Sequence, residues 1–244
     1  MTDSVVVLSG AAASIAVLHT LLGPDHYLPF IAMSRAGKWS LRKTLTVTLL
    51  CGMGHVVSSA ALALVGVFFG FTVLGLDRVQ AFRAELAGWL LLAFGCVYFV
   101  WGVRRAIRNK PHSHWHAHPE GIVHTHEHLH VGQHMHVHVA SGSGDETSPD
   151  AKTLTPWVLF VIFVFGPCEP LIPILMYPAA QNNPWGTACV TIVFALATLT
   201  TMSTVVIAAY LGIGSIRFAR LERYSHAVAG LMVAACGVAL RFGW

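Results

Sequence analysis

The chain consists of long apolar runs separated by polar segments. Each run is long enough to cross a hydrocarbon core about 30 Å thick as a helix, and none alternates apolar and polar positions as a membrane β-strand does. Backbone groups in lipid must hydrogen-bond within their own segment, so each run predicts a membrane-spanning α-helix. The six predicted spans are residues 4–33, 44–70, 84–103, 156–180, 187–212 and 224–241.

The composition leads to the same class of protein. Hydrophobic residues make up 55% of the 244 residues and charged residues 11%, whereas about 25% of the residues in a soluble domain are charged. A soluble globular protein is therefore excluded. The net charge of +4 is small and the basic residues are not interleaved with aromatic ones, so we expect no nucleic-acid partner. The five cysteines lie inside apolar runs at irregular spacing, unlike a disulfide framework.

Lysine and arginine residues are distributed unequally between the two sets of loops. Twelve follow the first, third and fifth predicted spans, and three (Arg78, Arg83 and Arg241) lie on the other side. Since loops rich in Lys and Arg stay in the cytoplasm, we predict a bacterial inner-membrane protein with both termini outside. No basic residue precedes the first apolar run, so we expect this span to be retained rather than cleaved as a signal peptide.

Residues 104–155 form the only long connection and divide the chain into a first half, 1–103, and a second half, 156–244. The connection is predicted to be cytoplasmic, and its part 140–149 has the composition of a flexible linker. A short repeat relates the halves, because Gly-Pro-Asp-His at 23–26 aligns with Gly-Pro-Cys-Glu at 166–169. Each half has an odd number of spans, so the sequence predicts an all-α fold of two inverted three-helix repeats, an arrangement found in many transporters.

Eleven of the fifteen histidines lie in the long connection, mostly in His-x-His alternation. This segment has little apolar content, so we expect it to be disordered without a ligand. Neutral imidazoles at this density bind borderline divalent metals, and the spacing lacks the His-x-x-His-His clusters of membrane di-iron desaturases. The predicted metal-binding histidines of the loop are His112, His114, His116, His118, His124, His126, His128, His130, His134, His136 and His138.

Other ionisable residues lie at membrane depth. His19, Asp25 and His26 fall in the first predicted span and His55 in the second, and such residues mark a site by default because burying them in lipid is costly. Pro24 is expected to break the first span, and broken helices near the midplane are where transporters bind ions. On an unbroken helix, His19 and His26 would lie roughly 10 Å apart, too far to share one ion.

The fourth predicted span carries a matching group of residues. Cys168 and Glu169 lie between two prolines, Pro167 and Pro170, so a second broken helix is expected to bear a thiol and a carboxylate. These residue types suit a divalent transition metal, because Cys and His are ligands of the borderline metals and a carboxylate offsets the charge of the ion.

Four motifs carry a resemblance to a known family. They are Leu-Gly-Pro-Asp-His ending at His26, Gly-Met-Gly-His ending at His55, the His-rich loop, and the Gly-Pro-Cys-Glu-Pro stretch around Cys168. Together they resemble the nickel/cobalt transporter superfamily, especially its six-span members similar to the urease accessory protein H and the nickel/cobalt efflux proteins. The resemblance implies that His19, Asp25, His26 and His55 take part in metal selection and passage.

One spacing departs from the pattern of that family. The nickel permease signature is His-x4-Asp-His, whereas five residues separate His19 from Asp25 here. On a regular helix the extra residue rotates His19 by about 100°, so the sequence leaves open whether His19 is a ligand.

Two other families share parts of these motifs. The Gly-Pro-Cys stretch resembles membrane thiol-disulfide carriers related to cytochrome c biogenesis, but exchange needs a pair of thiols, and the repeat position of Cys168 is Asp25. Small-anion exporters of the sulfite type would require cationic groups or helix N-termini at the midplane, because these attract an anion. This chain has acids and imidazoles there.

The sequence therefore predicts a transporter of a divalent transition metal, Ni²⁺ or Co²⁺, working by alternating access, and not an enzyme. Asp25 and Glu169 would offset the charge of the ion, His26 and His55 would coordinate it, and Cys168 would add a softer ligand. We expect no resident cofactor. A cytoplasmic protein that donates or accepts the metal is a possible partner, and the His-rich loop favours efflux slightly. The energy source and the oligomeric state are not in the sequence.

Overall fold

A computed structural model gives the fold of this chain. It describes residues 2–69, 73–108, 112–117, 123–128, 151–168, 170–214 and 222–242. The helices are α1 (Thr2–Leu22), α2 (Leu28–Ala36), α3 (Leu41–Phe68), α4 (Val73–Arg108), α5 (Ala151–Phe165), α6 (Leu171–Ala180), α7 (Pro184–Gly214) and α8 (Ser225–Arg241), with 3-10 turns at Pro24–His26 and Glu222–Tyr224. Two strands, β1 (His112–Ala117) and β2 (Val123–His128), lie between α4 and α5.

The described residues are predominantly helical, as the apolar runs predict. Four stretches are long and apolar enough to cross a membrane, namely Ser4–Leu22, Leu41–Gly66, Gly75–Arg108 and Pro184–Gly212. The apolar helices Thr155–Phe165 and Ser225–Arg241 are shorter than this. The helical class and its fit to a membrane are therefore confirmed, while six spans and an inverted repeat remain predictions.

The first predicted span is broken where Pro24 was expected to break it. The helix α1 ends at Leu22, the backbone of Gly23 is extended with φ −90° and ψ 92°, and α2 begins at Leu28. Proline cannot donate a backbone hydrogen bond and disfavours helical geometry in the residue before it, so Gly23-Pro24 ends the helix.

The fourth predicted span is broken in the same way. The helix α5 ends at Phe165 and α6 begins at Leu171, with Gly166-Pro167 at the point where the helix stops. Both halves of the chain thus place a Gly-Pro pair at the end of a helix, and the two expected interruptions are confirmed.

The packing of the helices places the second break against α3 and the first against α8, with the ring of His26 5.2 Å from that of His55 on α3. This helix contacts α5, α6 and α7, while α1 packs against α7 and α2 against α8. The helices α4 and α8 approach closely because small residues face each other, with Gly95 against Ala234 and Gly102 against Ala227, as is common between membrane helices. The side chains of Phe30, Phe163 and Met202 fill the core beside the breaks.

Part of the His-rich segment forms a two-stranded hairpin. Strands β1 and β2 pair antiparallel, and their register sets His112 opposite His128, His114 opposite His126 and His116 opposite His124. Alternation with a period of two is the pattern of a β-strand, and a lone hairpin of this kind is at best marginally stable in water, so disorder of the whole loop without a ligand stays a prediction. Residues 118–122 and 129–150 lie outside the described residues.

Candidate metal centre

The break in the first span brings two histidines together. His19 lies in the last turn of α1, and His26 ends the 3-10 turn that follows. Their ring centroids are 4.8 Å apart in an edge-to-face arrangement. The chain changes direction at Gly23 and Pro24, so the separation expected for an unbroken helix does not apply and both imidazoles can serve one site.

His55 and Cys168 complete the cluster from other elements. The ring of His55, on α3, lies 5.2 Å from that of His26, and Cys168 follows the end of α5. One ligand atom each from His19, His55 and Cys168 lies within 4.8 Å of the others. His26, His55 and Cys168 are all buried. We call His19, His26, His55 and Cys168 the His/Cys cluster.

The imidazoles of the cluster have unused nitrogen atoms. The Nε2 atoms of His19, His26 and His55 are buried and have no hydrogen-bond partner among the described residues. A buried polar atom without a partner costs free energy of about 1–3 kcal/mol, and three of them in one place are exceptional. The ligand atoms within 4.8 Å of one another belong to His19, His55 and Cys168, so a metal ion bound there can satisfy His19 and His55, and the ring of His26 lies beside this group.

Asp25 orients His26 through Nδ1, the ring nitrogen other than the unpartnered Nε2. The Nδ1 atom of His26 lies 3.2 Å from Asp25 Oδ1 and 3.2 Å from the carbonyl oxygen of Gly23. Both partners are acceptors, so Nδ1 carries the proton and donates, which leaves Nε2 as the atom free to bind a metal. A carboxylate behind a metal-binding histidine fixes the tautomer and raises the basicity of the ring. Asp25 therefore contacts the candidate ligand His26 through a hydrogen bond, a role the sequence did not predict.

The ring of His55 is also oriented by a hydrogen bond to the protein. The ring hydrogen-bonds to the backbone of Phe163, near the end of α5, while its Nε2 has no hydrogen-bond partner in the described part of the chain. The last carbonyl groups of a helix lack intrahelical donors, so the C-terminal end of α5 is a natural acceptor for this ring. Both His26 and His55 thus have one nitrogen occupied by the protein and one unoccupied.

The size of the cluster fits a transition metal after side-chain movement. Metal–nitrogen bonds are about 2.0–2.1 Å and metal–sulfur bonds about 2.3 Å for Zn²⁺, so tetrahedral ligand atoms lie about 3.3–3.6 Å apart. The ligand atoms of His19, His55 and Cys168 lie within 4.8 Å of one another. Side-chain rotations that move these atoms by up to about an ångström bring them to the distances of a tetrahedral site.

Two glycines make room for the imidazoles, and sequence reasoning did not single them out as functional. A Cβ atom on Gly23 would lie 2.6 Å from His26 Nδ1 and 2.9 Å from Asp25 Oδ1. A Cβ atom on Gly166 would lie 3.0 Å from His55 Nδ1. The signal that could have found them is the repeated Gly-Pro pair, in which each glycine precedes a helix break beside a histidine of the site.

A small cavity of about 20 Å³ adjoins the cluster. The side chains of Asp25, His26 and His55 form its polar wall, and Leu91 of α4 and Phe163 of α5 contribute to its apolar wall. This volume is enough for about one water molecule. One water molecule can therefore lie against Asp25, His26 and His55 without displacing protein atoms.

The other predicted metal-binding residues lie outside the His/Cys cluster or outside the described residues. Glu169 lies outside the described residues, as do His118, His130, His134, His136 and His138. His112, His114, His116, His124, His126 and His128 are in the hairpin. His226, expected at the membrane edge rather than in the site, is hydrogen-bonded to Tyr98 at 2.8 Å.

Comparison with known proteins gives no match to a family model, to a curated protein or to a solved structure. The likeness to the nickel/cobalt transporters consequently stands on the sequence motifs alone. The buried His/Cys cluster at three of those motifs is the observation that bears on function.

Proposed function

We propose that this chain is an integral membrane transporter of a divalent transition metal ion, Ni²⁺ or Co²⁺, and that the His/Cys cluster binds the ion during its passage. The observation that carries the proposal is the group of His19, His55 and Cys168, whose ligand atoms lie within 4.8 Å of one another. Beside it, the buried Nε2 atoms of His19, His26 and His55 have no hydrogen-bond partner in the part of the chain that the structure describes. Imidazole and thiolate ligands select borderline and soft metals over Mg²⁺ and Ca²⁺.

The position of the cluster favours transport over a structural metal site. Two of its residues follow interruptions in apolar helices, and discontinuous helices at the bilayer midplane form the ion sites of many transporters. A structural zinc site is normally closed by four protein ligands. Here the grouped ligands are three, His19, His55 and Cys168, and a cavity the size of one water molecule lies beside His26 and His55.

The proposal includes six spans arranged as two inverted halves. Support comes from the matched Gly-Pro interruptions at 23–24 and 166–167, each of which places a glycine against an imidazole Nδ1. In this arrangement α5 and α6 together form the fourth span and α8 the sixth. Alternating access then corresponds to rocking of one half against the other around the cluster.

A thiol-disulfide carrier is the second candidate, and the composition of the cluster disfavours it. No disulfide joins any of the five cysteines, all of which lie in the described part of the chain, and the cluster contains Cys168 as its single thiol beside His19 and His55. Disulfide exchange needs a second sulfur within bonding distance. The donors around Cys168 instead suit coordination of a metal.

The direct test is flux through the purified protein. Protein lacking residues 112–138, reconstituted in sealed vesicles, is expected to carry Ni²⁺ or Co²⁺ across the bilayer in a saturable manner, while Mg²⁺ is not carried. Mass spectrometry of the vesicle contents measures each metal separately. Vesicles that stay impermeable to all transition metals under pH and voltage gradients of either sign, with correctly folded protein, would refute the proposal.

Deletion of residues 112–138 is expected to weaken metal handling without abolishing transport. The hairpin and its histidines lie outside the apolar helices, so they can capture or buffer the ion but are not needed at the cluster. We expect a higher apparent KM and an unchanged maximal rate, measured as whole-cell metal content over a range of metal concentrations. Complete loss of transport at normal protein levels would place the histidine segment in the pathway itself.

The unequal distribution of basic residues yields a prediction about topology. A reporter enzyme inserted near Ser143 is expected to be active on the cytoplasmic side, and one fused after Trp244 on the outer side, because twelve of fifteen basic residues lie in the first set of loops. Paired reporters that are active in either compartment measure this. A cytoplasmic C-terminal reporter in a functional fusion would contradict the orientation.

A further inference from the structure

Arg83 lies inside the helical bundle and not in a loop, where the sequence pattern placed it. The helix α4 begins at Val73, so Arg83 is in its third turn. Its side chain is partly buried, and no carboxylate lies within ion-pair distance of it among the described residues. A charged side chain at this depth is costly, and such residues are retained for a specific partner.

The partners of Arg83 are the end of α5 and the neighbouring turn of α3. Its Nη2 atom donates to the carbonyl oxygens of Val164 at 2.8 Å and Gly166 at 3.1 Å, and to Ser58 Oγ at 2.8 Å. Its Nη1 atom donates to Gln80 Oε1 at 2.8 Å. These carbonyl groups lie where α5 stops, so they have lost their intrahelical donors and carry the partial negative charge of a helix C-terminus.

These bonds connect two parts of the His/Cys cluster. Ser58 lies one turn after His55, and its single hydroxyl proton is shared between the carbonyl oxygens of Val164 at 2.8 Å and His55 at 3.0 Å. Gly166, held by Arg83, lies against His55 Nδ1 and precedes Cys168 by two residues. The position of the Arg83 guanidinium therefore affects both the distance and the alignment between His55 and Cys168.

We propose that Arg83 is a positioning residue that holds the unwound segment after α5 against α3, so that Cys168 can bind the same metal ion as His55. The inference rests on the proposed function and goes beyond it, because it assigns to one arginine the placement of the sulfur ligand. A lysine could not replace it fully. The planar guanidinium directs several donors at once towards separate acceptors, whereas an ammonium group is a single point of charge.

Cobalt absorption of the purified protein lacking residues 112–138 tests the inference. Co²⁺ bound by imidazoles gives visible d–d bands, and a thiolate ligand adds a charge-transfer band in the near ultraviolet. Arg83→Gln is expected to lose the charge-transfer band, to keep visible bands, and to bind Co²⁺ about 10- to 100-fold more weakly, the usual range for loss of an outer-shell partner. Arg83→Lys should retain part of the band.

Arg78→Gln is the matched control, because Arg78 is on the same helix and is exposed; its spectrum should equal that of the unmodified protein. An unchanged charge-transfer band in Arg83→Gln would overturn the inference.

Ser58→Ala provides a second test if Arg83→Gln does not fold, because it removes one hydrogen-bond partner of Arg83. A weaker charge-transfer band in Ser58→Ala supports the inference, and an unchanged band overturns it. Absence of all cobalt bands in the unmodified protein would instead overturn the proposed function.

Discussion

Replacement of His26 by alanine is expected to abolish metal transport while the protein still inserts and folds. The ring of His26 lies 4.8 Å from that of His19 and 5.2 Å from that of His55, and its buried Nε2 has no hydrogen-bond partner among the described residues. Removing the ring takes away a candidate ligand beside His19 and His55. Asp25→Asn should be less severe, with an affinity loss of about 10- to 100-fold, because Asp25 acts through His26 and not on the ion directly.

Uptake of ⁶³Ni²⁺ into vesicles measures both effects, and titration of the protein lacking residues 112–138 separates binding from transport. His226→Ala is the control, since His226 is hydrogen-bonded to Tyr98 and lies outside the cluster. Normal transport by a protein lacking both the His26 ring and the Asp25 carboxylate would show that these groups are packing partners and that the metal site lies elsewhere.

Cys168→Ser distinguishes the two candidate functions in the same assay. A metal site that loses its thiol keeps its imidazoles, so we expect a changed preference among Ni²⁺, Co²⁺ and Zn²⁺ rather than inactivity. A thiol-disulfide carrier would lose all activity, because a hydroxyl cannot exchange disulfides. Such a carrier would also tolerate Asp25→Asn, which the metal site should not.

Addition of a single methyl group at Gly23 is expected to impair the site by at least about tenfold in metal affinity, comparable to the loss of an outer-shell partner. The new Cβ atom would lie 2.6 Å from His26 Nδ1, so the ring must move and its hydrogen bond to Asp25 must break. The backbone of Gly23 has a negative φ of −90°, which alanine adopts freely. The effect of Gly23→Ala is therefore steric and local.

Gly10→Ala is the matched control, because a Cβ atom there meets nothing within 4 Å and alanine stabilises a helix interior by about 0.5–1 kcal/mol relative to glycine. Gly166→Ala should act on His55 in the same direction, with a smaller effect, since its Cβ contact is 3.0 Å. Cobalt titration of the three variants checks the order. Unchanged affinity in Gly23→Ala would mean that His26 is not held in the orientation described.

The local features of this protein can be predicted from its sequence. The apolar runs predict the helices, because a backbone in lipid has few other ways to satisfy its hydrogen bonds. Both helix breaks follow from Gly-Pro pairs, since the effect of proline on the preceding residue does not depend on the rest of the fold. The identity of the donors is also visible, because His and Asp residues at membrane depth are rare and costly.

For the His-rich segment and for α4, the sequence interpretation differs from the structure. The alternation of histidines was interpreted as a disordered metal-binding tract, although a period of two also predicts strands β1 and β2. Arg83 was counted as a loop residue because the hydropathy of the third run begins at residue 84, whereas the helix begins at Val73. Hydropathy detects the apolar part of a helix and misses a polar first few turns.

The assembly of the site depended on tertiary structure. The extra residue before Asp25 leaves the place of His19 open on a regular helix, and only the direction of the chain after Gly23 brings His19 within 4.8 Å of His26. Cys168 reaches His19 and His55 through contacts between residues more than one hundred positions apart. Sequence determines helices and their breaks because those depend on neighbouring residues, whereas the cluster depends on which helix faces pack together, and that is decided by the whole fold.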